Sequence, residues 1–377
     1  MDRATQERLV ARIRELLRSR STDLAESSHR VAATDYTSGD ELAAERERLF
    51  LGGPLVAGLS GDAPAPGDWF SFEACGRSAV VWRGADGALR AFVNACRHRG
   101  MRVASGCGHE DRALVCPYHS WSYDGEGRLA AMPGAVGFAD VDRDELRLTP
   151  LPVHEEAGLV YVGLTPASRG NGSPLGGAES ELGPFDLASY HQVERREHRF
   201  AMNWKLVVDS FMEAYHLDFL HERTLRPMFH GNVSIFDPFG RNGRIAGVRT
   251  SFDRITDGDL LPHVTLLYQM FPNAVLIHQQ DHVELYQSFP DPHDPNMCET
   301  RLTLYAPRVP ETDSERRHWK KNFDLIDGVT TTEDFGACER IQANLRAGAV
   351  PFVVFGRNEP GVAHFHRMLK GALTPCT

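Results

Sequence analysis

The stretch "CRHRGMRVASGCGHEDRALVCPYHSW", residues 96–121, holds three cysteines and three histidines in twenty-six positions. Its two ends are alike: Cys96-Arg-His98 and Cys116-Pro-Tyr-His119, with seventeen residues between the pairs. In each, a thiol is followed one or two residues later by an imidazole, with a small residue close behind. Two such loops suit the clamping of one inorganic centre. Thiolates and imidazoles bind zinc and iron–sulfur clusters alike, so ligand type leaves both open. A zinc site drawing on some mixture of the six residues would not need matched pairs. Cys107 and His109 fall at the tip of the intervening loop and read as loop residues.

The rest of the chain narrows the setting. Its 377 residues suffice for two domains, with 42% hydrophobic and 24% charged residues, ordinary for a soluble protein. A net charge of −10 lacks the basic stripe of a general nucleic-acid binder. No apolar run approaches the roughly 18 residues that span a bilayer, so no membrane partner is expected. The opening "MDRATQERLVARIRELLRSR" has no apolar centre and does not read as a signal peptide. Asp2, Glu7 and Glu15 count against a transit peptide. Leu9, Val10, Ile13, Leu16 and Leu17 recur at helical spacing, which predicts an amphipathic helix. Seven scattered cysteines do not form a secreted disulfide framework. Cys75, Cys298, Cys338 and Cys376 read as free thiols, and a cytoplasmic location is expected.

The expected organisation is α+β. Residues 1–45 form a helical segment packing on the second domain. Residues 46–165 carry short β-type runs, including "SAVVWRGADGALRAFVNA" with an Asp-Gly hairpin signal at 86–87, and read as a small all-β domain. Residues 166–184 are dense in Gly, Ser and Pro and read as a linker or surface loop. Residues 185–377 begin with a helical pattern at 203–221, continue with strands such as "VTLLYQMF" and "AVLIHQ", and close with helices near 314–327 and 332–346.

A second constellation lies in that half. In "NWKLVVDSFMEAYHLDFLH", residues 203–221, a helix would put Asp209, Glu213 and His216 on one face. His221 would point roughly 140° away from His216, so both meet one metal only if the helix ends or distorts. Two imidazoles and a carboxylate form the facial set that holds non-haem Fe(II) and leaves positions open. "TTEDFGACERIQ" supplies the best third ligand, Asp334, with Glu333 and Glu339 as competitors. Asp218 and Glu222 are nearer in sequence but expected to be exposed.

Together these motifs resemble a known family. "CRHRG" and "CPYHSW" resemble the Rieske signature, which implies a [2Fe–2S] cluster with Cys96 and Cys116 on one iron and His98 and His119 on the other. Ser120 and Tyr118 would be donors around it, with Trp121 a shield. Glu-x-x-His-x(4)-His, then "ED" before a helix, and "GRNEPGVAHFHRML" near the end resemble the catalytic (α-type) component of the Rieske non-haem iron oxygenases, the ring-hydroxylating oxygenase family. The resemblance implies an all-β Rieske domain, then a helix-grip catalytic domain in which His216, His221 and Asp334 hold Fe(II). It implies a head-to-tail homotrimer in which Glu213 bridges the cluster of one chain and the iron of the next, with Asp209 in support. It implies electrons from NAD(P)H through a separate reductase, with or without a ferredoxin; the chain has no dinucleotide-binding fingerprint of its own. Glu213 resembles the branch acting on quaternary ammonium compounds of betaine or carnitine type, by hydroxylation or N-demethylation. Tyr215, Phe211, Phe219, Tyr268 and Phe271 would supply a π-rich pocket for such a cation. An aromatic-ring mono- or dioxygenase is the alternative substrate class. A Rieske-type electron carrier and a zinc-binding protein are the non-enzyme alternatives.

Overall fold

Alternation of apolar and polar residues builds the strands of the first half. In Asp68–Ala74, Phe70, Phe72 and Ala74 point inward and their neighbours stay partly exposed. The computed structural model describes residues 1–169, 172–256 and 259–374, and divides them between two units.

The unit Glu47–Pro174 with Asp186–Tyr190 is all-β. Its five-stranded antiparallel sheet runs Pro150–Leu151, Leu89–Val93, Arg77–Arg83, Asp68–Ala74 and Cys107–His109. Asp86-Gly87 does turn the chain between Arg77–Arg83 and Leu89–Val93: Asp86 accepts from the Ala88 N–H at 3.1 Å, and Gly87 takes φ +80°. Two three-stranded sheets complete the unit, one of them the short set Leu114–Val115, Ser122–Tyr123 and Leu129–Ala131.

The other unit comprises Met1–Arg46, Leu175–Phe185 and His191–Thr377. Its seven-stranded antiparallel sheet is a meander from Phe229–Phe239 through Asn242–Arg249, Val264–Met270, Ala274–His278 and Val283–Pro290 to Cys298–Ala306, with His191–Phe200 as the far edge. All five residues of Ala274–His278 and all eight of Val283–Pro290 are buried, so these strands are covered on both faces and show no alternation. The opening helix Arg3–Ser19 buries Leu9, Val10 and Ile13. Of the stretch 166–184 expected as a linker, residues from Leu175 onward pack into this unit: Leu175, Ala178 and Leu182 are buried, and Glu181 holds Arg244 at 2.5 Å. Among the described residues no helix is long and apolar enough to cross a membrane.

The helical pattern over 203–221 ends early. The helix Lys205–Phe211 stops after seven residues, and a separate 3-10 turn, Tyr215–Asp218, follows. Glu213 is the physical cause: its carboxylate accepts the backbone N–H of Tyr215 and, at 3.2 Å, that of His216, which caps the second turn. Two close approaches fix the break. A Cβ on Gly361 would stand 2.5 Å from the Met212 carbonyl, and one on Gly231 would collide with the Asp218 carboxylate. Downstream, Asp313–Val329 and Phe335–Arg346 are joined by a π-turn, Thr330–Asp334. Thr330, Thr331 and Thr332 each donate a hydroxyl to the carbonyl four residues back, which competes with the helical ladder there.

The start of Lys205–Phe211 is anchored by a fully buried ion pair. Lys205 meets Glu45, whose other oxygen accepts the Trp204 indole N–H at 2.8 Å. Removing one member of such a pair strands the other charge. Glu45→Leu is expected to cost about 3–5 kcal/mol, read as a lower urea midpoint of this unit's transition, and Lys205→Met added to it should recover most of the loss. An unchanged midpoint in the single variant would show that the pair anchors nothing.

Candidate functional site

In the all-β unit the two Cys-His loops adopt the same turn. Cys96 N–H bonds the Met101 carbonyl at 2.7 Å and Gly100 N–H returns to the Cys96 carbonyl at 2.8 Å. Cys116 N–H bonds the Trp121 carbonyl at 2.8 Å and Ser120 N–H returns to the Cys116 carbonyl at 3.0 Å. The turn needs a left-handed residue four positions after each cysteine; Gly100 takes it at φ +77°, and Ser120 at φ +58° against its side-chain preference. The loops bring the imidazoles of His98 and His119 to a centroid separation of 4.6 Å. Cys96 and Cys116 lie in a core with Trp82, Phe92, Trp121 and Tyr123, and neither is in a disulfide.

The donor set fits an iron–sulfur centre. Nδ1 of His98 is buried without a hydrogen-bond partner, an orphan that a bound metal would satisfy. Burial pushes the Cys96 thiol up, so its thiolate needs a cation nearby. Trp121 does stack on His98, at 4.9 Å. The expected donors fare differently. Tyr118 is exposed and packs on His119, while the hydroxyl beside Cys96 Sγ, at 3.3 Å, is that of Tyr123, held by the Arg97 N–H at 2.9 Å. Nothing in the spacing marked Tyr123. Cys107 and His109 are not a loop tip: they form an edge strand on Asp68–Phe70, and His109 bonds Asp68 and Asp111.

In the other unit the early helix end and the π-turn bring His216, His221 and Asp334 together, with one ligand atom from each within 4.8 Å of the others. Asp334 Oδ1 lies 3.0 Å from His221 Nε2 and 3.3 Å from His216 Nε2. Each outer nitrogen has its own carboxylate: His216 Nδ1 bonds Glu213, and His221 Nδ1 bonds Glu333 at 2.6 Å. Glu333 also accepts the Thr224 hydroxyl at 2.8 Å. Glu333, a competitor for the third ligand on sequence grounds, thus lies on the outer side of the His221 ring, away from the cluster. Glu339 accepts the Ala201 N–H, Asp218 pairs with Arg226, and Glu222 is exposed; none joins the cluster. Asp209 is buried nearby, accepting from Tyr36 at 2.7 Å and bonding His366 at 2.8 Å.

Electrostatics marks this as a place for a cation. Burial opposes charge on His216, yet hydrogen bonds to Asp334 and Glu213 raise it to about 10. Burial likewise opposes charge on Asp334, yet the two imidazoles hold its carboxyl below the usual range. Three carboxylates facing two imidazoles call for positive charge, which a divalent metal supplies as the imidazoles release protons.

A cavity of about 230 Å³ opens on the triad. Its walls are mostly apolar, among them Leu217, Leu225, Phe229, Leu267, Ile277 and Val329, with a polar group around Arg249 and Glu284. Of the five aromatics expected there, only Phe211 lines it. Tyr215 and Phe219 are exposed; Tyr268 is buried with its hydroxyl on Glu181; Phe271 lies under Arg241. Phe229 was not anticipated.

Comparison with known proteins agrees with this geometry. Residues 54–143 match the Rieske [2Fe-2S] domain, and residues 187–374 match the ring hydroxylating alpha subunit (catalytic domain). The chain is 32% identical over 184 residues to the glycine betaine monooxygenase oxygenase subunit of Pseudomonas aeruginosa, covering 49% of this chain and 42% of that one. It is 31% identical over 212 residues to the carnitine monooxygenase oxygenase subunit of Escherichia coli, covering 54% of each. The chain thus spans about half the length of the curated relatives it matches. A solved quaternary ammonium Rieske monooxygenase, studied for carnitine oxidation and inter-subunit electron transfer, shares the fold with a TM-score of 0.79 at 22% identity, over 93% of this chain and 96% of that one. The cofactors that go with the two matched domains are a [2Fe–2S] cluster and a mononuclear iron. A cysteine–histidine centre in the first domain and a two-imidazole, one-carboxylate centre in the second form one design, and the chain belongs to the Rieske non-haem iron oxygenases as a catalytic α-type component.

Proposed function

We propose that the chain is the terminal oxygenase of a multicomponent system, hydroxylating or oxidatively N-demethylating a small quaternary ammonium compound with O₂. The observation that carries this reading is the cavity opening on His216, His221 and Asp334, supported by relatives that are betaine and carnitine mono-oxygenases. Cys96, Cys116, His98 and His119 hold the cluster, and His216, His221 and Asp334 hold Fe(II). When bound, the cluster supplies single electrons and the ferrous ion supplies a site for O₂ activation.

The chain's own residues do the rest. Glu213 and Glu333 accept the Nδ1 protons of His216 and His221, which fixes both rings and leaves each Nε2 facing inward. Phe211, Leu217, Ile277 and Val329 keep water from the reacting carbon. Electrons come from NAD(P)H through a separate reductase, with or without a ferredoxin. A head-to-tail homotrimer fits the surface: a second cavity, of about 460 Å³, opens on Glu213 and His216 from another side and is rimmed by exposed Ile341, Val350, Phe352 and Val354.

Two metal counts test the assignments. Cys116→Ser should remove the red-brown colour and the cluster irons while keeping the mononuclear iron, and Asp334→Ala should do the reverse. Full iron with normal turnover in Asp334→Ala would end the triad assignment. The orienting role of Glu333 makes a separate demand: Glu333→Gln should keep the cluster spectrum and weaken Fe(II) affinity about ten- to a hundredfold, measured by chelator competition. Unchanged affinity would mean that His221 needs no such support. For the reaction, mass spectrometry of turnover with trimethylammonium substrates should find the carbonyl fragment and amine left by hydroxylation beside nitrogen.

A further inference from the structure

Of the aromatics expected around a cationic substrate only Phe211 lines the cavity, and the cavity's polar group has a different character. On the cavity face of the sheet, Ile245, Leu267, Ile277 and Glu284 follow one another across four strands, and Gly247 pairs with Thr265 one step further on. Arg249 comes next on its strand. It donates through Nη2 alone, to Thr265 Oγ1 at 2.9 Å and Gln279 Oε1 at 2.6 Å. Both partners are neutral. Its Nε is buried without a partner, and its guanidinium lies 5.2 Å over the ring of Phe229.

Two acids stand nearby, and each gives one oxygen to His282; the other oxygen of Glu284 is buried without a partner. Glu284 Oε1 bonds His282 Nε2 at 3.1 Å, and Asp281 bonds His282 Nδ1 at 2.7 Å. Hydrogen bonds to these two carboxylates outweigh burial and raise His282 to about 9, so it stays charged between them. Among the described residues, Arg249 forms no ion pair; Glu284 and Asp281 reach it only at longer range, and burial pulls it below its ordinary range. A half-buried guanidinium with unused N–H groups beside an apolar cavity is complementary to a carboxylate.

We propose that Arg249 is the anchor for a carboxylate at the end of the substrate remote from the carbon that is oxidised. Resting on the reading of the triad as the oxidising site, this makes the substrate class a trimethylammonio carboxylate in preference to a carboxyl-free amino alcohol. Arg249 touches the substrate and sets specificity; it takes no part in oxygen chemistry.

Calorimetric titration of the holoenzyme without reductant separates this from the proposed reaction. The probes are γ-butyrobetaine, its carboxamide, and the carboxylate in which carbon replaces the quaternary nitrogen. The expected result is that both carboxylates bind and the amide binds roughly ten- to a hundredfold more weakly, the worth of a charge-assisted bond. Arg249→Gln should bring carboxylate affinity down to that of the amide, and Arg249→Lys should retain part of it, each with an unchanged cluster spectrum and iron content. In turnover, Arg249→Gln should raise KM for γ-butyrobetaine far more than it lowers kcat. If the carbon isostere binds through Arg249 while the betaine is not oxidised, the anchor stands and the quaternary ammonium reading falls. Equal binding of acid and amide, no carboxylate binding, or no effect of Arg249→Gln would overturn the anchor.

Discussion

The catalytic unit is organised around two imidazoles that are held at both nitrogens. His216 and His221 each present Nε2 to Asp334, while Glu213 and Glu333 take the outer nitrogens. No regular helix can supply this. Consecutive helical residues point about 100° apart, yet Glu333 and Asp334 reach opposite edges of the same His221 ring. The π-turn Thr330–Asp334 permits it, and the threonines that bond back to the preceding turn help to create it. On the other side the helix must end at Phe211 so that Glu213 can cap the next turn and bond the ring that turn carries. Both irregularities serve the same pair of rings.

What could be read from the sequence follows from how local each feature is. The Cys-His pairs were legible because each lies within one tight turn, where spacing and geometry are nearly the same statement. The sequence favours Asp334 over Glu333 and Glu339 without giving the geometric reason, because a π-turn shifts register by one residue, which no apolar pattern reports. The helix over 203–221 was overextended because Glu213 looked like a member of a helical face, whereas its carboxylate ends that face. The pocket aromatics failed for another reason. Tyr268 sits beside Leu267 on a strand buried on both faces, and one residue of parity decides which of them meets the cavity. In such a strand hydrophobicity carries no information about which face is which.

The same parity gives the sheet two arginines of opposite kind. Arg244 and Arg249 lie on one strand, five residues apart, and face opposite sides. Arg244 is fully buried and held by two carboxylates, Glu181 and Asp237, with Tyr268 Oη on the same Glu181 at 3.1 Å. Its charge is matched within the protein, although its Nε, like that of Arg249, is buried without a partner, and it ties the segment around Glu181 to the sheet. Arg249 has two neutral acceptors and an aromatic face, and Glu284 and Asp281 each give an oxygen to His282 and form no ion pair with this guanidinium. A half-buried guanidinium without an ion pair costs stability, and five residues earlier the same strand carries one that is paired twice.

A guanidinium without an ion pair beside a cavity must be weighed against the other charges there. The triad side carries Glu213, Glu333 and Asp334, and a divalent ion beside two neutral imidazoles would offset two of their three charges. The sheet side of the cavity carries Arg249 together with Glu284. A zwitterion laid between them would place its ammonium end toward the carboxylate-rich side and its carboxylate on the guanidinium, where that carboxylate would also meet the field of Glu284. A simple cation would meet repulsion at Arg249 with no aromatic face to offset it beyond Phe211 and Phe229. The electrostatic polarity of this cavity, more than its shape, is what would tell a betaine from a choline.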